Sequence, residues 1–193
     1  MKRLVYVEPP HKVKADFWHF VKYLEEGAGR LSLAPYCTVH RANFDDGKED
    51  EMVAALISVA SDCPRFEVEC ADLAVFGNGI VSVRLQPSVE LTGLHKRVIE
   101  ATAVFLDRGN PIRVEERYEN DPRRQELAER FGSVYADEFY EPHVSLCYRR
   151  PSFRIDEPDV FKGLRFAVEN FSFAVNVDPK TRRYQPTHLF ELR

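Results

Sequence analysis

The sequence predicts an α+β fold in which two antiparallel sheets face a central cleft and helices cover the outer faces. Short apolar segments with strand alternation are interleaved with segments of helical period. Neighbouring strand pairs occur in both halves of the chain, and each half contains one copy of a short strand motif. These observations predict a single bilobed domain spanning residues 1–193.

The first half of the chain predicts two strands that alternate with two helices. Leu4–Val7 has the pattern of a short strand, and apolar residues at helical spacing follow it until Gly27. Tyr36–Arg41 predicts the second strand, after which Asp46 can cap the second helix. The expected buried faces are Val13, Phe17, Phe20, Val21 and Leu24 in the first helix, and Met52, Val53, Leu56, Ile57 and Ala60 in the second.

A β-hairpin followed by a helix is predicted next. Alternation starts at Phe66 and changes parity near Cys70–Asp72, which predicts a bulge there. Gly77–Gly79 supplies the turn, and Val81–Leu85 alternates as the partner strand. Ser88 can cap the third helix. Its apolar stripe would be Leu91, Leu94, Val98, Thr102 and Phe105.

A charged insertion, residues 107–138, separates this helix from the last strands. It holds six arginines and nine acidic residues, and Asp121 with Pro122 can start a short helix that ends near Phe131. We expect a solvated segment that overhangs the cleft. Strands then follow at Pro142–Tyr148, along the alternating residues 171–177, and around His188–Leu192, with a turn at residues 178–180 between the last two.

The composition limits the kinds of ligand and cellular location that we expect for this protein. With 27 Lys and Arg against 31 Asp and Glu, the net charge of −4 gives no general attraction to polyanions, so any nucleotide site has to be local. The four cysteines form no C-x-x-C pair and suit buried thiols, and no residue cluster predicts a metal. No apolar run reaches the length of a membrane span, so we expect a cytoplasmic protein without a membrane partner.

The stretches APYCTVH and EPHVSLC share a pattern of proline, ring, any residue, hydroxyl and aliphatic residue. The second stretch places His143 before Ser145. The first places Tyr36 before Thr38, with His40 further along. Alternate side chains of a strand face the same way, so adjacent strands would gather these polar groups in one cleft. Hydroxyl donors and an imidazole suit an anionic phosphate.

EPHVSL resembles the H-x-T/S-hydrophobic motif of the 2H phosphoesterase superfamily, which includes 2′-5′ RNA ligase-like proteins and cyclic nucleotide phosphodiesterases. APYCTV lies where the first such motif is expected, 143 − 36 = 107 residues earlier. The resemblance runs from the Leu4 strand to the final HLFELR, interrupted by the insertion. It implies a 2H-like fold and metal-free cleavage of a cyclic phosphate or 2′-5′ bond, with no cofactor.

The resemblance also implies roles for the motif residues. His143 matches the second catalytic histidine, and Thr38 and Ser145 match the phosphate-binding hydroxyls. Tyr36 stands where the first catalytic histidine is expected. A phenol of pKa about 10 is protonated at neutral pH, so Tyr36 suits a proton donor while His143 activates water.

Three further residues are accessory candidates. His40 shares the predicted face of Tyr36, Arg149 follows the second motif and can add positive charge, and Tyr140 can stack on a base. Each of them also suits ordinary packing or solvation, and that alternative stays open.

Three functions follow from the sequence. The first is a metal-independent phosphodiesterase acting on a small nucleotide or an RNA terminus, weakened by loss of one catalytic histidine. The second is a non-catalytic module of the same fold that binds a nucleotide or RNA end. The third is an interaction protein whose charged insertion binds a partner.

Overall fold

The computed structural model describes residues 2–23, 29–30, 35–76, 79–111, 114–149, 154–178 and 183–193. Within these ranges the chain forms nine strands and four α-helices. The strands are β1 (Lys2–Val7), β2 (Gly29–Arg30), β3 (Tyr36–Asn43), β4 (Phe66–Val75), β5 (Ile80–Leu85), β6 (His143–Tyr148), β7 (Arg165–Val168), β8 (Asn170–Asp178) and β9 (Arg183–Glu191). The helices are α1 (His11–Tyr23), α2 (Glu49–Asp62), α3 (Val89–Thr102) and α4 (Pro122–Phe131). No helix in these ranges is long and apolar enough to cross a membrane.

The strands confirm the α+β class and form one antiparallel sheet. Their order is β7-β4-β5-β6-β3-β1-β8-β9, with β2 paired to β6. The sequence predicts two facing sheets, whereas here the two halves join because β3 pairs with β6. Tyr36 lies opposite Ser145, and Cys37 lies opposite Val144. The expected adjacency of the two motif strands is therefore confirmed.

Several strand pairings among the described residues contain register shifts, and two of these bulges bear on the sequence predictions. The predicted bulge of β4 is confirmed, because its pairing with β5 shifts between Cys70 and Leu73. The second bulge lies in β3 and was not predicted. Val5 of β1 pairs with His40 while the next residue, Tyr6, pairs with Thr38, so Val39 is an extra residue. Beyond Val39 the side chains of β3 point to the opposite face from the one that strict alternation predicts.

The helix starts agree with the predicted caps, with one exception. Ser88 caps α3 and Asp121 caps α4, each by accepting a hydrogen bond from a backbone N–H. Before α2 the cap is Asp45 rather than Asp46, because a short 3₁₀ turn precedes this helix. Ile57 of α2 is 56% exposed and is not in the core as expected.

Helices α1, α2 and α3 cover one face of the sheet and share a single core with it. Phe17, Leu56 and Leu94 from these helices cluster with Cys37 of β3 and Val144 of β6. All four cysteines are buried and free, as predicted. The described residues do not include three positions where a turn or a helix end was predicted: Gly27, Gly77–Asn78 and Pro179–Lys180.

The insertion contributes more to the interior than the sequence suggests. Leu127, Phe131 and Ala136 are buried and cluster with Ile99 of α3. Leu127 and Phe131 are four residues apart on α4, so they form one apolar side of an otherwise charged helix. The segment is therefore a small layer packed on α3 rather than a purely solvated loop.

This packing predicts a clear stability cost for truncating the insertion's core. Leu127→Ala removes a fully buried side chain and should lower the free energy of unfolding by about 3 kcal/mol, measured by urea denaturation. The control is Leu189→Ala at a site that is 61% exposed, which should change it by less than about 0.5 kcal/mol. Equal small effects would instead support a solvated insertion that can be deleted.

Candidate active site

The two sequence motifs meet on the face of the sheet that the helices leave uncovered. Tyr36 lies opposite Ser145, and alternation places Thr38 and His143 on the same face one step along each strand. We call this surface the motif face. Their neighbours Cys37 and Val144 point into the core, which fixes the direction of the motif side chains.

Strand β5 extends the motif face with two residues that the sequence interpretation missed. Ser82 lies opposite Ser145, and Arg84 lies opposite His143. Ser82 is fully buried, and its hydroxyl has no hydrogen-bond partner in the described part of the chain. Leaving such a group buried and unpaired costs about 1–3 kcal/mol. Arg84 is neutralised by a bidentate ion pair with Asp72.

The hydrogen bonding of His143 defines its chemistry. Its Nδ1 lies 2.8 Å from the Glu141 carbonyl oxygen, which can only accept, so Nδ1 carries the proton. The lone pair of Nε2 has no hydrogen-bond partner among the residues that the structure describes. The Phe76 ring packs on the imidazole at 4.5 Å between centroids. Burial lowers the pKa of His143, the Glu141 carbonyl opposes this shift, and the charge of Arg41 adds to it. The ring is therefore neutral at pH 7 and suited to accept a proton.

Tyr36 is held by aromatic packing. Its ring meets the Tyr6 ring edge to face at 5.7 Å and joins a small apolar cluster with Leu4, Ala174 and Tyr184. Burial raises the pKa of Tyr6 to about 12, so Tyr6 stays protonated at neutral pH. Tyr36 is only partly buried, which leaves part of its side chain open on the motif face.

The prediction that His40 shares the face of Tyr36 is wrong. The extra residue Val39 turns His40 into the core, where it pairs with Val5, packs edge to face on Phe44 and is 2% exposed. The sequence held a signal for this, because apolar residues occupy odd positions up to Val39 and even positions from Ala42. His40 is therefore a core residue rather than an accessory of the site.

Tyr140 also lies beneath the sheet rather than on the motif face. It stacks on His95 of α3 at 3.9 Å between ring centroids. Its hydroxyl donates to the Thr38 carbonyl oxygen at 3.1 Å and lies 3.8 Å from the Cys37 sulfur. Tyr140 is partly buried, and its predicted role in stacking on a base stays a prediction.

His95 and Tyr140 both donate hydrogen bonds to backbone carbonyl oxygens of β3 beside its bulge. A bulge interrupts the ladder, and the His95 Nδ1–H donates to the Val39 carbonyl oxygen at 2.6 Å. The His95 Nε2 accepts from the Asp137 backbone N–H at 2.9 Å, so the end of the insertion is tied to β3 through one ring. Burial lowers the pKa of His95 to about 4, which keeps both hydrogen bonds intact at neutral pH.

Arg149 follows β6, where its backbone N–H donates to the Gly79 carbonyl oxygen at 2.7 Å. Its role at the cleft mouth stays a prediction. Among the described residues, no group of three His, Cys, Asp or Glu side chains is arranged to hold a metal ion.

Comparison with known proteins identifies the family. Residues 9–178 match the family model of the 2′-5′ RNA ligase superfamily. The chain therefore belongs to this superfamily, whose members have activity of the phosphodiesterase type. A comparison with curated protein sequences finds no significant match.

Solved structures share the whole fold at low sequence identity. TT0787 of Thermus thermophilus is 17% identical with a TM-score of 0.71, over 100% of this chain and 98% of that one. Escherichia coli LigT in complex with phosphate is 16% identical with a TM-score of 0.66, over 99% and 96%. Kluyveromyces marxianus Usb1 is 12% identical with a TM-score of 0.55, over 92% and 95%. These similarities show the fold alone.

The burial of His40 predicts a loss of stability in acid. Burial lowers its pKa to about 3 in the folded protein, below the value of about 6.5 expected when unfolded. The unfolded state thus gains the proton first, and stability present above pH 6.5 is lost as the pH falls. Between pH 7 and pH 5 the unfolding free energy of wild type should fall by roughly 2 kcal/mol more than that of His40→Leu.

The control for this measurement is Phe44→Leu, which alters the same ring contact without removing a titrating group. Its stability difference from wild type should be the same at both pH values, measured by urea denaturation. A constant difference for His40→Leu as well would mean that His40 is not buried in its neutral form.

Proposed function

We propose that the protein is a metal-independent phosphodiesterase that opens a cyclic phosphate, or cleaves a 2′-5′ bond, on a nucleotide or RNA end. The observation that supports it most strongly is the free Nε2 of His143 beside the paired hydroxyl residues of the motif face. The solved complexes of LigT with phosphate, 3′-AMP and ATP support a nucleotide as the ligand class.

In the proposed reaction, a water oxygen forms a bond to phosphorus as the bond from phosphorus to the leaving ribose oxygen breaks. The His143 Nε2 accepts the proton of the water, and the Tyr36 hydroxyl gives its proton to the leaving oxygen. Thr38 and Ser145 donate hydrogen bonds to the non-bridging phosphate oxygens. Proton transfer from His143 to the Tyr36 phenolate then restores the starting state.

A second candidate is a binding module without turnover, favoured by the packing of Tyr36. Its ring lies against Tyr6 in an apolar cluster, as a structural tyrosine does. A phenol is also a weaker match than an imidazole for proton transfer near neutral pH. On this alternative the motif face binds a nucleotide phosphate through Thr38 and Ser145 and leaves it intact.

Four variants separate the two functions in an assay of 2′,3′-cyclic nucleotide hydrolysis. For an enzyme, His143→Ala should lower kcat/KM by about 10²-fold or more, because it removes the general base. Tyr36→Phe should cost less, and Tyr36→His should raise the rate by supplying a group of pKa near neutrality. Ser145→Ala should weaken ligand binding, measured by calorimetry.

A binding module gives a different set of results. Wild type then shows no turnover, binds the nucleotide, and loses affinity in Ser145→Ala while Tyr36→His changes little. A wild type that neither hydrolyses nor binds any phosphate ligand would contradict both functions.

The lowered pKa of His143 predicts the acid limb of the pH profile. Because the neutral imidazole is the active form, kcat/KM should be lost as the pH falls, with a midpoint below the ordinary value of about 6.5. Arg41→Gln removes a positive charge near the ring, so the midpoint should move up toward the ordinary value. A rate that instead increases toward acid pH would mean that His143 acts in its protonated form.

A further inference from the structure

We propose that Ser82 is a positioning residue for phosphate binding. Its buried hydroxyl donates a hydrogen bond to the Ser145 hydroxyl while Ser145 donates to an oxygen of the bound phosphate. The role of Ser82 rests on the proposed function, because Ser145 has to hold the phosphate for Ser82 to act on it.

Strand β5 directs the Ser82 side chain to the motif face. Its neighbours in the strand, Val81 and Val83, belong to the core beneath the sheet, so alternation points Ser82 the other way. Ser82 lies opposite Ser145 of β6, which in turn lies opposite Tyr36 of β3. Side chains directly opposite each other in an antiparallel pair have Cβ atoms about 4.5–5.5 Å apart, which allows a hydrogen bond between two hydroxyls.

The neighbours of Ser82 on the same face leave Ser145 as the available partner. On its other side, Ser82 lies opposite Ala74 of β4, which has only a methyl group. Two residues along β5 in either direction are Ile80, whose side chain is apolar, and Arg84. The guanidinium of Arg84 is already held by a bidentate ion pair. Of these four neighbours, Ser145 therefore offers the acceptor that a hydroxyl needs.

The Ser82 hydroxyl is costly to the protein on its own. Ser82 is 0% exposed, and its Oγ has no hydrogen-bond partner among the residues that the structure describes. A buried hydroxyl without a partner destabilises the folded state, and alanine would fill nearly the same space without that cost. Because Ser82 is fully buried, a phosphate cannot reach its hydroxyl directly. Ser145 keeps 4% of its surface exposed, so Ser82 acts through Ser145.

The two hydroxyls match each other as donor and acceptor. A serine hydroxyl has one O–H donor and two lone pairs, so Ser145 can donate to a phosphate oxygen and still accept from Ser82. Accepting this hydrogen bond fixes the rotamer of Ser145 and polarises its O–H, which strengthens the bond to an anion in a buried setting. The Ser82 hydroxyl then gains the partner that the protein alone does not provide.

This role predicts opposite effects of Ser82→Ala on stability and on ligand affinity. The variant removes an unpaired buried donor, so it should unfold at the same urea concentration as wild type or at a higher one. Its Kd for 3′-AMP should rise about fivefold, as expected for the loss of one hydrogen bond. A serine with a purely structural role would not separate these two measurements.

Calorimetry on the full chain with 3′-AMP measures the coupling between the two serines. Ser145→Ala should weaken binding, and adding Ser82→Ala to it should change the Kd by less than about twofold, because the acceptor is gone. The control is Thr102→Val, which removes a buried hydroxyl that already donates to the Val98 carbonyl oxygen at 2.7 Å. This variant should unfold at a lower urea concentration and keep the wild-type Kd within about twofold.

The role of Ser82 is disproved, while the phosphate site stands, by any of three results. Ser82→Ala binds 3′-AMP as tightly as wild type, weakens binding equally in the Ser145→Ala background, or loses affinity together with stability. If wild type binds neither 3′-AMP nor inorganic phosphate, the proposed function fails and the role of Ser82 fails with it. Should Ser145→Ala bind too weakly to titrate, the Kd and urea midpoint of Ser82→Ala still decide the result.

Discussion

The pairing of β3 with β6 is the contact on which both the fold and the candidate site depend. Two residue pairs, Tyr36 with Ser145 and Cys37 with Val144, join the halves of the chain into one sheet. The same pairs send Cys37 and Val144 into the common core and leave Tyr36 and Ser145 on the motif face. Core packing fixes the register of β3 against β6, and this register alone places the two motifs side by side although they are distant in sequence.

The bulge at Val39 is the second constraint, because it decides which face of the sheet the following residues of β3 occupy. One extra residue moves His40 into the core and brings Arg41 to the motif face. The carbonyl oxygens next to the bulge accept hydrogen bonds from His95 and Tyr140. These two rings are polar residues in a buried setting, and they support the strand that carries Tyr36. The insertion is linked to this support through the Asp137 N–H.

Local patterns predicted much of the fold because they depend on neighbours in sequence. The Ser88 and Asp121 caps and the β4 bulge follow from such patterns. The adjacency of the motif strands was expected because the two motifs match each other. The structure has one sheet where two were expected. No local pattern shows that β3 and β6 share hydrogen bonds. Strand β7 was not predicted, because its four residues are too few for alternation to stand out.

The candidate site was predictable only in part. The motif residues were found from their spacing, but strict alternation misplaced His40 once a bulge intervened. Arg41, Ser82 and Phe76 were missed because their relation to His143 is set by pairing between strands and by ring packing. The packing of Tyr140 on His95 could not be predicted, because an aromatic residue beside a motif gives no sign of which face of the sheet it will contact.

The central claim is that the paired strands present a neutral His143 with a free Nε2 to a phosphate ligand. Nuclear magnetic resonance of protein with ¹⁵N-labelled histidines tests it directly, because long-range ¹H–¹⁵N spectra distinguish the two ring nitrogens. We expect His143 to be protonated on Nδ1 at pH 7, and its Nε2 resonance to shift on titration with inorganic phosphate while the His40 resonances stay fixed. A proton on Nε2 instead, or a His143 that is unaffected by saturating phosphate and 3′-AMP, would contradict the account.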